Sequence, residues 1–353
     1  MIYDLIKIEI NRAVFSVIFQ EVLKWLSVVY AVRALFSDIT FLTLTVRQTE
    51  LGSLTFVRLR LLLTEQTRPF RFALVAFAPV RLSALNYKKT SAYKSGSLFA
   101  IVDERISKEC ATRLSDDGFV IIRLPRDERL GEAVASHTDM LLFRLGNTIV
   151  ASREYFEKNG EIFDTLRRAL VRFEFVLSDE RISHEYPHDA IFNALRIGER
   201  LFAKTDTVSR DVLSLAEREG ISTVSVKQGY PACTAISVDG RLVITADEGL
   251  ARVMESHGLR VLRIEDSEKI LLPPYKNGFI GGAAGVFGNK VYFMGNLRAH
   301  PSSDIIEREL NALGYEAVSL DPSADSLFDL GGMMLINTDK NGSSTSPKNP
   351  KSE

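Results

Sequence analysis

The feature that most constrains the fold of this chain is an internal repeat. Four tight-turn signals, each between two short apolar segments, recur about every 40 to 50 residues: Gly146-Asn147, Gly198-Glu199, Asp239-Gly240 and Gly288-Asn289. Glycine, asparagine and aspartate readily adopt the positive φ angles that two-residue hairpin turns require. A period of this length predicts an array of supersecondary modules.

The segments between the turns repeat as well. Each reads as an amphipathic helix, a glycine at the helix end and a short apolar strand, and the clearest case is residues 247–264 with Gly258. The same order occurs at three further places and, without the glycine, at a fifth. These segments are residues 103–124, 206–226, 303–320 and 161–177.

The two ends of the repeat region each supply half of a hairpin. Residues 98–102 (LFAIV) form a strand that precedes the first helix. Residues 331–337 (GGMMLIN) form a strand at the other end of the repeat region, and no second hairpin strand follows them in the repeat pattern. If the two ends pair, five helix-strand-hairpin repeats form a closed ring that leaves no exposed strand edge. We therefore predict an α/β fold, a five-bladed α/β propeller, over residues 97–337.

The flanking segments differ from this pattern. Residues 1–98 hold 13 Lys and Arg against six Asp and Glu, and residues 54–63 (LTFVRLRLLL) sustain neither a strand nor a helix period. Three interpretations of residues 1–96 remain open. The segment is poorly ordered or foreign to the domain, or it is a basic extension that binds a membrane surface or a polyanion, or it is a small domain of its own. The polar residues 338–353 are predicted to be disordered.

Composition excludes several classes of protein. A formal net charge of -1 with 46% hydrophobic residues is ordinary for a soluble protein and indicates no nucleic-acid partner. The longest uncharged stretch, residues 277–289, is too short and too rich in glycine for a membrane span. Two cysteines, Cys110 and Cys233, form no disulfide framework, which favours a reducing, cytoplasmic location. The oligomeric state is left open.

No cofactor or metal site is predicted. Gly281, Gly282, Gly285 and Gly288 match neither nucleotide-binding spacing and lead into a strand, so crowding explains them better. His184 and His188 have a metal-compatible spacing only on a helix, which the intervening proline opposes.

The chain resembles a known fold through its repeats and four motifs. The motifs are Ser136-His137-Thr138-Asp139, Gly229-Tyr230-Pro231-Ala232-Cys233, Thr245-Ala246-Asp247-Glu248-Gly249 and the strand opening on Gly331-Gly332. This arrangement resembles the pentein fold of the guanidino-group-modifying enzymes, such as arginine deiminase, agmatine deiminase, dimethylargininase and arginine:glycine amidinotransferase. It is most similar to an uncharacterised branch of that fold, a domain of unknown function.

The resemblance implies a central channel and also shows a departure. The enzymes of that fold attack the guanidinium carbon with a cysteine shortly after the C-terminal glycines, assisted by a histidine and two carboxylates. Here Met333 and Met334 follow the glycines, and that segment contains no thiol. A thioether forms no stable covalent intermediate, so covalent chemistry by that route is not expected.

Three residues are predicted as catalytic candidates. His137 and Asp139 would lie on one face of a strand and form a histidine-carboxylate pair for acid-base chemistry or cation binding. Cys233 is the thiol nearest to a predicted inner position. The alternatives are a histidine satisfied by the local backbone and a buried, inert cysteine.

Five further residues are candidates for ligand binding. Asp189 precedes its hairpin turn by the same interval as His137, with His188 beside it. Asn296, Arg298 and His300 lie in a loop between a strand and a helix, where ligand groups often occur. The alternatives are a turn before a strand and an ordinary polar loop.

Two functional hypotheses follow. In the first, the channel binds a small cationic guanidino or amino compound, or hydrolyses a C–N bond of it without a covalent intermediate, using His137, Asp139 and Asp189. In the second, the protein is a non-catalytic interaction protein with a protein partner, as the ribosomal anti-association translation factor of the resembled fold is.

Overall fold

The computed structural model describes residues 39–48, 54–63, 80–81 and 97–338, and only the backbone of the first three ranges. The chain divides into two compact units, Met1–Thr90 and Ser91–Glu353. In the first unit, β1 (Ile39–Gln48), β2 (Leu54–Leu63) and β3 (Val80–Arg81) form an antiparallel sheet in that order.

The strand β2 differs from the prediction for residues 54–63, which favoured no regular element. Its backbone pairs with β1 along nearly its whole length. Main-chain pairing does not depend on strict alternation of apolar side chains, so the irregular pattern misled the prediction. The other predictions for residues 1–96, and the disorder predicted for residues 339–353, lie outside the described residues.

The second unit is mixed α/β and contains five three-stranded sheets of one design. In each, an inner strand pairs antiparallel with a middle strand, which pairs parallel with an outer strand. In chain order the sheets comprise β4 (Leu98–Asp103) and β5 (Phe119–Leu124), joined by β20 (Met334–Asn337); β6 (Leu142–Leu145), β7 (Thr148–Ser152) and β8 (Glu174–Ser178); β9 (Leu195–Ile197), β10 (Arg200–Ala203) and β11 (Ser222–Ser225); β12 (Ala235–Val238), β13 (Leu242–Thr245) and β14 (Arg260–Arg263); and β16 (Ala284–Phe287), β17 (Lys290–Phe293) and β18 (Glu316–Ser319). The short strands β15 (Ile270–Leu271) and β19 (Leu327–Phe328) pair parallel.

Helices connect the middle strand of each sheet to its outer strand. They are α1 (Lys108–Asp116), α3 (Arg153–Lys158) with α4 (Gly160–Ala169), α5 (Arg210–Arg218), α7 (Glu248–Ser256) and α8 (Ser303–Ala312). Two single-turn helices, α2 (Thr138–Leu141) and α6 (Pro231–Thr234), precede β6 and β12. Short 3-10 turns occur at Glu132–Val134 and Leu297–Ala299. No helix in the described ranges is long and apolar enough to cross a membrane.

The predicted helix and turn signals have the expected local causes. Side chains of Ser107, Ser209 and Asp247 accept hydrogen bonds from backbone N–H groups in the first turns of α1, α5 and α7. Gly258 follows α7 with φ of 78°, and Gly146 forms its hairpin turn with φ of 58°. Glycine adopts these angles without the strain that a Cβ adds, so Gly258 ends its helix and Gly146 forms its turn at low cost.

The ends of the repeat region pair as predicted. Strand β20 runs antiparallel to β4, with Met334 opposite Ile101 and Asn337 opposite Leu98. The inner strands β6, β9, β12, β16 and β20 line one cavity of about 620 Å³. The middle strands lie deeper: every residue of β7 and β13 is buried, which accounts for the apolar residues at their centres.

Candidate functional site

The candidate site forms where two single-turn helices lead into inner strands. Leu141 N–H bonds to His137 C=O and closes the turn of α2, so His137 caps this helix and Asp139 lies within it. The prediction that both residues lie on one face of a strand is therefore wrong. Cys233 occupies the corresponding helix α6, two residues before β12.

The structure brings the three catalytic candidates together. The ligand atoms of His137, Asp139 and Cys233 all lie within 4.8 Å of one another. Cys233 Sγ donates a hydrogen bond to Asp139 Oδ2 at 2.7 Å and accepts one from Asn193 Nδ2 at 3.2 Å. The C-terminal glycines have no thiol after them, but Cys233 of another module supplies one beside His137.

Asp329 joins these residues, and sequence reasoning missed it. Its carboxylate accepts hydrogen bonds from Phe279 N–H at 2.8 Å and Gly331 N–H at 3.1 Å, and Oδ1 lies 4.0 Å from His137 Nδ1. The available signal was its position just before the double glycine of the last inner strand. We call His137, Asp139, Cys233 and Asp329 the Cys-His-Asp cluster.

Asn193 is the second residue that sequence reasoning missed. It lies two residues before β9, as Cys233 lies two residues before β12, so the register of the hairpins was the available signal. It is buried, its Oδ1 accepts a hydrogen bond from Ala232 N–H at 2.8 Å, and its Nδ2 bonds the thiol. Asn193 therefore links two modules and orients Cys233.

Glycines make room for the cluster. A Cβ on Gly282 would lie 1.9 Å from Asp329 Oδ1, and one on Gly331 would lie 2.3 Å from His137 Cβ. Gly281 and Gly285 are similarly crowded, as predicted, whereas Gly288 has open space around it and serves the hairpin turn. A side chain at Gly282 or Gly331 would therefore overlap with Asp329 or His137, so the cluster requires glycine at both positions.

Burial sets the protonation of the cluster. It raises the pKa of Asp139 to about 6 and of Asp329 to about 7, and the Asp139 charge adds to the rise at Asp329. Burial also lowers the pKa of His137 to about 3 and raises that of the Cys233 thiol well above its usual range. At neutral pH the imidazole is neutral and the thiol is protonated.

Several atoms of the cluster have no partner among the described residues. His137 Nδ1 and Nε2 and Asp139 Oδ1 are buried without a hydrogen bond. Such atoms are costly in a folded protein and mark a place where a ligand can bind. Imidazole, carboxylate and thiol together are also a donor set for one transition-metal ion, so His137, Asp139 and Cys233 are the residues that could hold a metal.

The candidates for ligand binding lie in two places. Asp189 is buried and accepts a hydrogen bond from Tyr230 Oη at 2.7 Å, on the segment that leads to α6, whereas His188 is exposed. Asn296 Oδ1 accepts a hydrogen bond from Arg298 N–H, His300 is buried with Nδ1 accepting from a backbone N–H, and the Arg298 side chain is 79% exposed. None of Asn296, Arg298 and His300 lines the central cavity.

Solved structures of several enzymes are similar to this chain at low identity. Agmatine deiminase of C. jejuni shares 8% identity with a TM-score of 0.45 and covers 70% of this chain and 94% of its own. The N-terminal domain of ArgZ, a cyanobacterial arginine dihydrolase, shares 12% identity with a TM-score of 0.42, covering 68% and 98%. SxtG, an amidinotransferase from Microseira wollei, shares 11% with a TM-score of 0.43, covering 67% and 80%.

These similarities do not indicate what this chain binds. No functionally curated protein matches the sequence. Residues 101–334, however, match the profile of a family of unknown function, DUF6873, and this range contains every residue of the Cys-His-Asp cluster. Because the match spans well over half of the chain, the protein belongs to the family of unknown function DUF6873.

Proposed function

We propose that the five modules close into a pentein-type α/β propeller and that the protein binds a small guanidino or amino cation at Asp139 and Asp329. Closure is supported by the pairing of β20 with β4 and by a cavity that all five inner strands line together. Of the Cys-His-Asp cluster, Asp139 lines that cavity, which supports access of a small ligand to the cluster through Asp139.

The observation that carries the proposal is a pair of carboxyl groups, the buried Asp329 and the partly buried Asp139, without a cationic partner among residues 97–338. Among residues 97–338, neither Asp139 nor Asp329 accepts a hydrogen bond from a lysine or an arginine. The nearby Arg105 is held by Asp103, with Nη2 to Oδ2 at 2.6 Å, and His137 is neutral. A cation between the two carboxyl groups would relieve their mutual repulsion.

A guanidinium or amidinium group fits this need best. It is planar, stays charged at neutral pH and offers parallel N–H donors that match a carboxylate. The rest of the cavity near the cluster is apolar, with Phe192, Ala232 and Leu142 in its lining, which suits the aliphatic part of such a compound.

Calorimetry with the full chain tests this proposal. The probes are agmatine, arginine, methylarginines, creatine and polyamines at pH 8. Asp139→Asn should weaken binding at least about tenfold, because a charged hydrogen bond to a buried ligand is lost. The control is Asp164→Asn, which removes an exposed carboxylate of α4 and should leave the affinity unchanged.

Two outcomes contradict the proposal. One is that no compound of the panel binds, and the other is that Asp139→Asn binds as well as the unaltered chain. Either outcome would favour the non-catalytic interaction protein, which needs no occupied cavity.

A second candidate function is hydrolysis of a C–N bond in the bound cation, and the 2.7 Å contact between Cys233 Sγ and Asp139 Oδ2 favours it. Sγ would attack the central carbon and form a C–S bond while Asp139 takes the thiol proton. The C–N bond then breaks, and the amine leaves with that proton. Water cleaves the C–S bond and regenerates the thiol.

Release of ammonia or amine from the bound compound measures this reaction. Cys233→Ser should abolish turnover while the calorimetric affinity changes little, because the hydroxyl keeps the hydrogen bond to Asp139. Turnover that survives in Cys233→Ser would exclude the covalent route. Binding without any turnover in the unaltered chain would leave the protein a binding protein.

A further inference from the structure

The opposite end of the central cavity carries a different set of charges. This end, which we call the hairpin end, is formed by the turn glycines of four modules, and Gly198 and Gly288 are exposed there. Arg144 and Arg196 line the cavity at this end, each two residues before the turn glycine of its own module. They are equivalent residues of two consecutive modules.

Backbone carbonyls hold both arginines in place. Arg144 Nε donates to Gly146 C=O and Arg196 Nε donates to Gly198 C=O, each at 2.9 Å. Arg144 Nη1 also donates to Leu335 C=O at 3.3 Å, and its guanidinium lies over the Phe173 ring, 5.3 Å from the centroid. The remaining N–H groups, both Nη of Arg196 and Nη2 of Arg144, have no protein partner within the described ranges.

Neither arginine has a counter-ion there. Within residues 97–338, no carboxylate oxygen lies within 4.0 Å of either guanidinium, and the acidic residue that lines this end, Asp239, is paired with Arg241. Burial lowers the pKa of Arg144 to about 10, and the charge of Arg196 adds to this effect. Two like charges in one half-enclosed space are unfavourable unless an anion joins them.

We propose that Arg144 and Arg196 form an oxyanion-binding site at the hairpin end of the cavity, separate from the Cys-His-Asp cluster. The fixed guanidinium groups present N–H donors in the fork geometry that suits carboxylate, sulfate and phosphate oxygens. The anion comes either free from solution or as the acidic group of a longer ligand. Inner strands of about four residues span roughly 13 Å, so a ligand reaching both sites is an extended zwitterion.

Titration of the full chain with sodium sulfate, phosphate and acetate at constant ionic strength tests the site. We expect saturable binding of at least one anion, and Arg196→Gln should weaken it at least about tenfold. Arg196→Lys should recover only part of the affinity, because a lysine keeps the charge but not the fork. Arg126→Gln, an exposed arginine outside the cavity lining, is the control that makes the same change in net charge.

The result separates this site from the proposed cation site. Asp139→Asn should leave anion binding intact, and Arg196→Gln should leave agmatine binding intact. Saturable binding that Arg196→Gln does not change, equal losses in Arg126→Gln, or no binding of any anion would each overturn the proposal. If the unaltered chain binds an anion but not agmatine, the result would count against the proposed cation site and not against the oxyanion site.

Discussion

The two ends of the central cavity are built from the same five modules but have opposite chemistry. At the start of the inner strands, the buried Asp329 and the partly buried Asp139 lie beside a neutral histidine and a protonated thiol. At the hairpin end, Arg144 and Arg196 lie near exposed turns without a carboxylate partner among the described residues. One end is acidic, and the other is basic and includes exposed turns.

The difference shows how a repeated module produces a specific site. The five residues that lie two positions before the inner strands are Met140, Asn193, Cys233, Gly282 and Gly332. Asn193 Nδ2 touches both Met140 Sδ at 3.7 Å and Cys233 Sγ, so these equivalent positions are neighbours in space. The repeated backbone brings these equivalent positions close together, and the residue type at each position determines which functional groups the site contains.

The largest expected contrast between the ends is in stability. Gly282→Ala would put a Cβ 1.9 Å from Oδ1 of the buried Asp329, so we expect a loss of about 3 kcal/mol or more in the free energy of unfolding. Gly198→Ala, at the hairpin end, meets no atom within 4 Å and should cost only about 1 kcal/mol for its positive φ. Urea denaturation measures both, and equal losses would contradict the difference in packing.

The next contrast concerns the thiol. In a Cys110→Ser background, iodoacetamide at pH 8 should alkylate Cys233 at least about tenfold more slowly in the folded chain than in the denatured chain. Burial and the neighbouring carboxylates raise the pKa of this thiol, so little thiolate is present. Asp139→Asn should increase the rate, because it removes one of those charges. A folded-state rate equal to the denatured rate would show that the cluster is open to solvent.

The smallest contrast is in the pH dependence of binding. Agmatine affinity should rise at least about tenfold between pH 5 and pH 8, because loss of the Asp139 proton, with a pKa of about 6, alone gives that factor and loss of the Asp329 proton, with a pKa of about 7, adds to it. Sulfate affinity should change less than about threefold, because burial lowers the pKa of Arg144 only to about 10, well above this range. Calorimetry at several pH values measures both. A flat agmatine profile would exclude these carboxyl groups from the cation site.

Sequence reasoning was most successful where local chemistry decides the structure. Turn glycines, helix caps and apolar strands identified the hairpins, the helices and the pairing of β4 with β20. It was wrong about His137, because two-residue alternation was assumed up to the strand and the chain instead makes a helical turn first. Asp329 and Asn193 were missed because their roles come from contacts between modules, which no single stretch of sequence records.

The strand β20 has a consequence for how the site comes into being during synthesis. Ribosomes release the chain from its N-terminus, so β4 emerges early and its partner β20 follows more than 200 residues later, in the same segment as Asp329 and Gly331. Until β20 is synthesised, one edge of β4 has no hydrogen-bonded partner strand, and the carboxylate of Asp329 is not yet beside His137. A nascent chain stalled before residue 329 therefore has four modules and no complete binding site. The arrival of β20 completes both the sheet and the binding site.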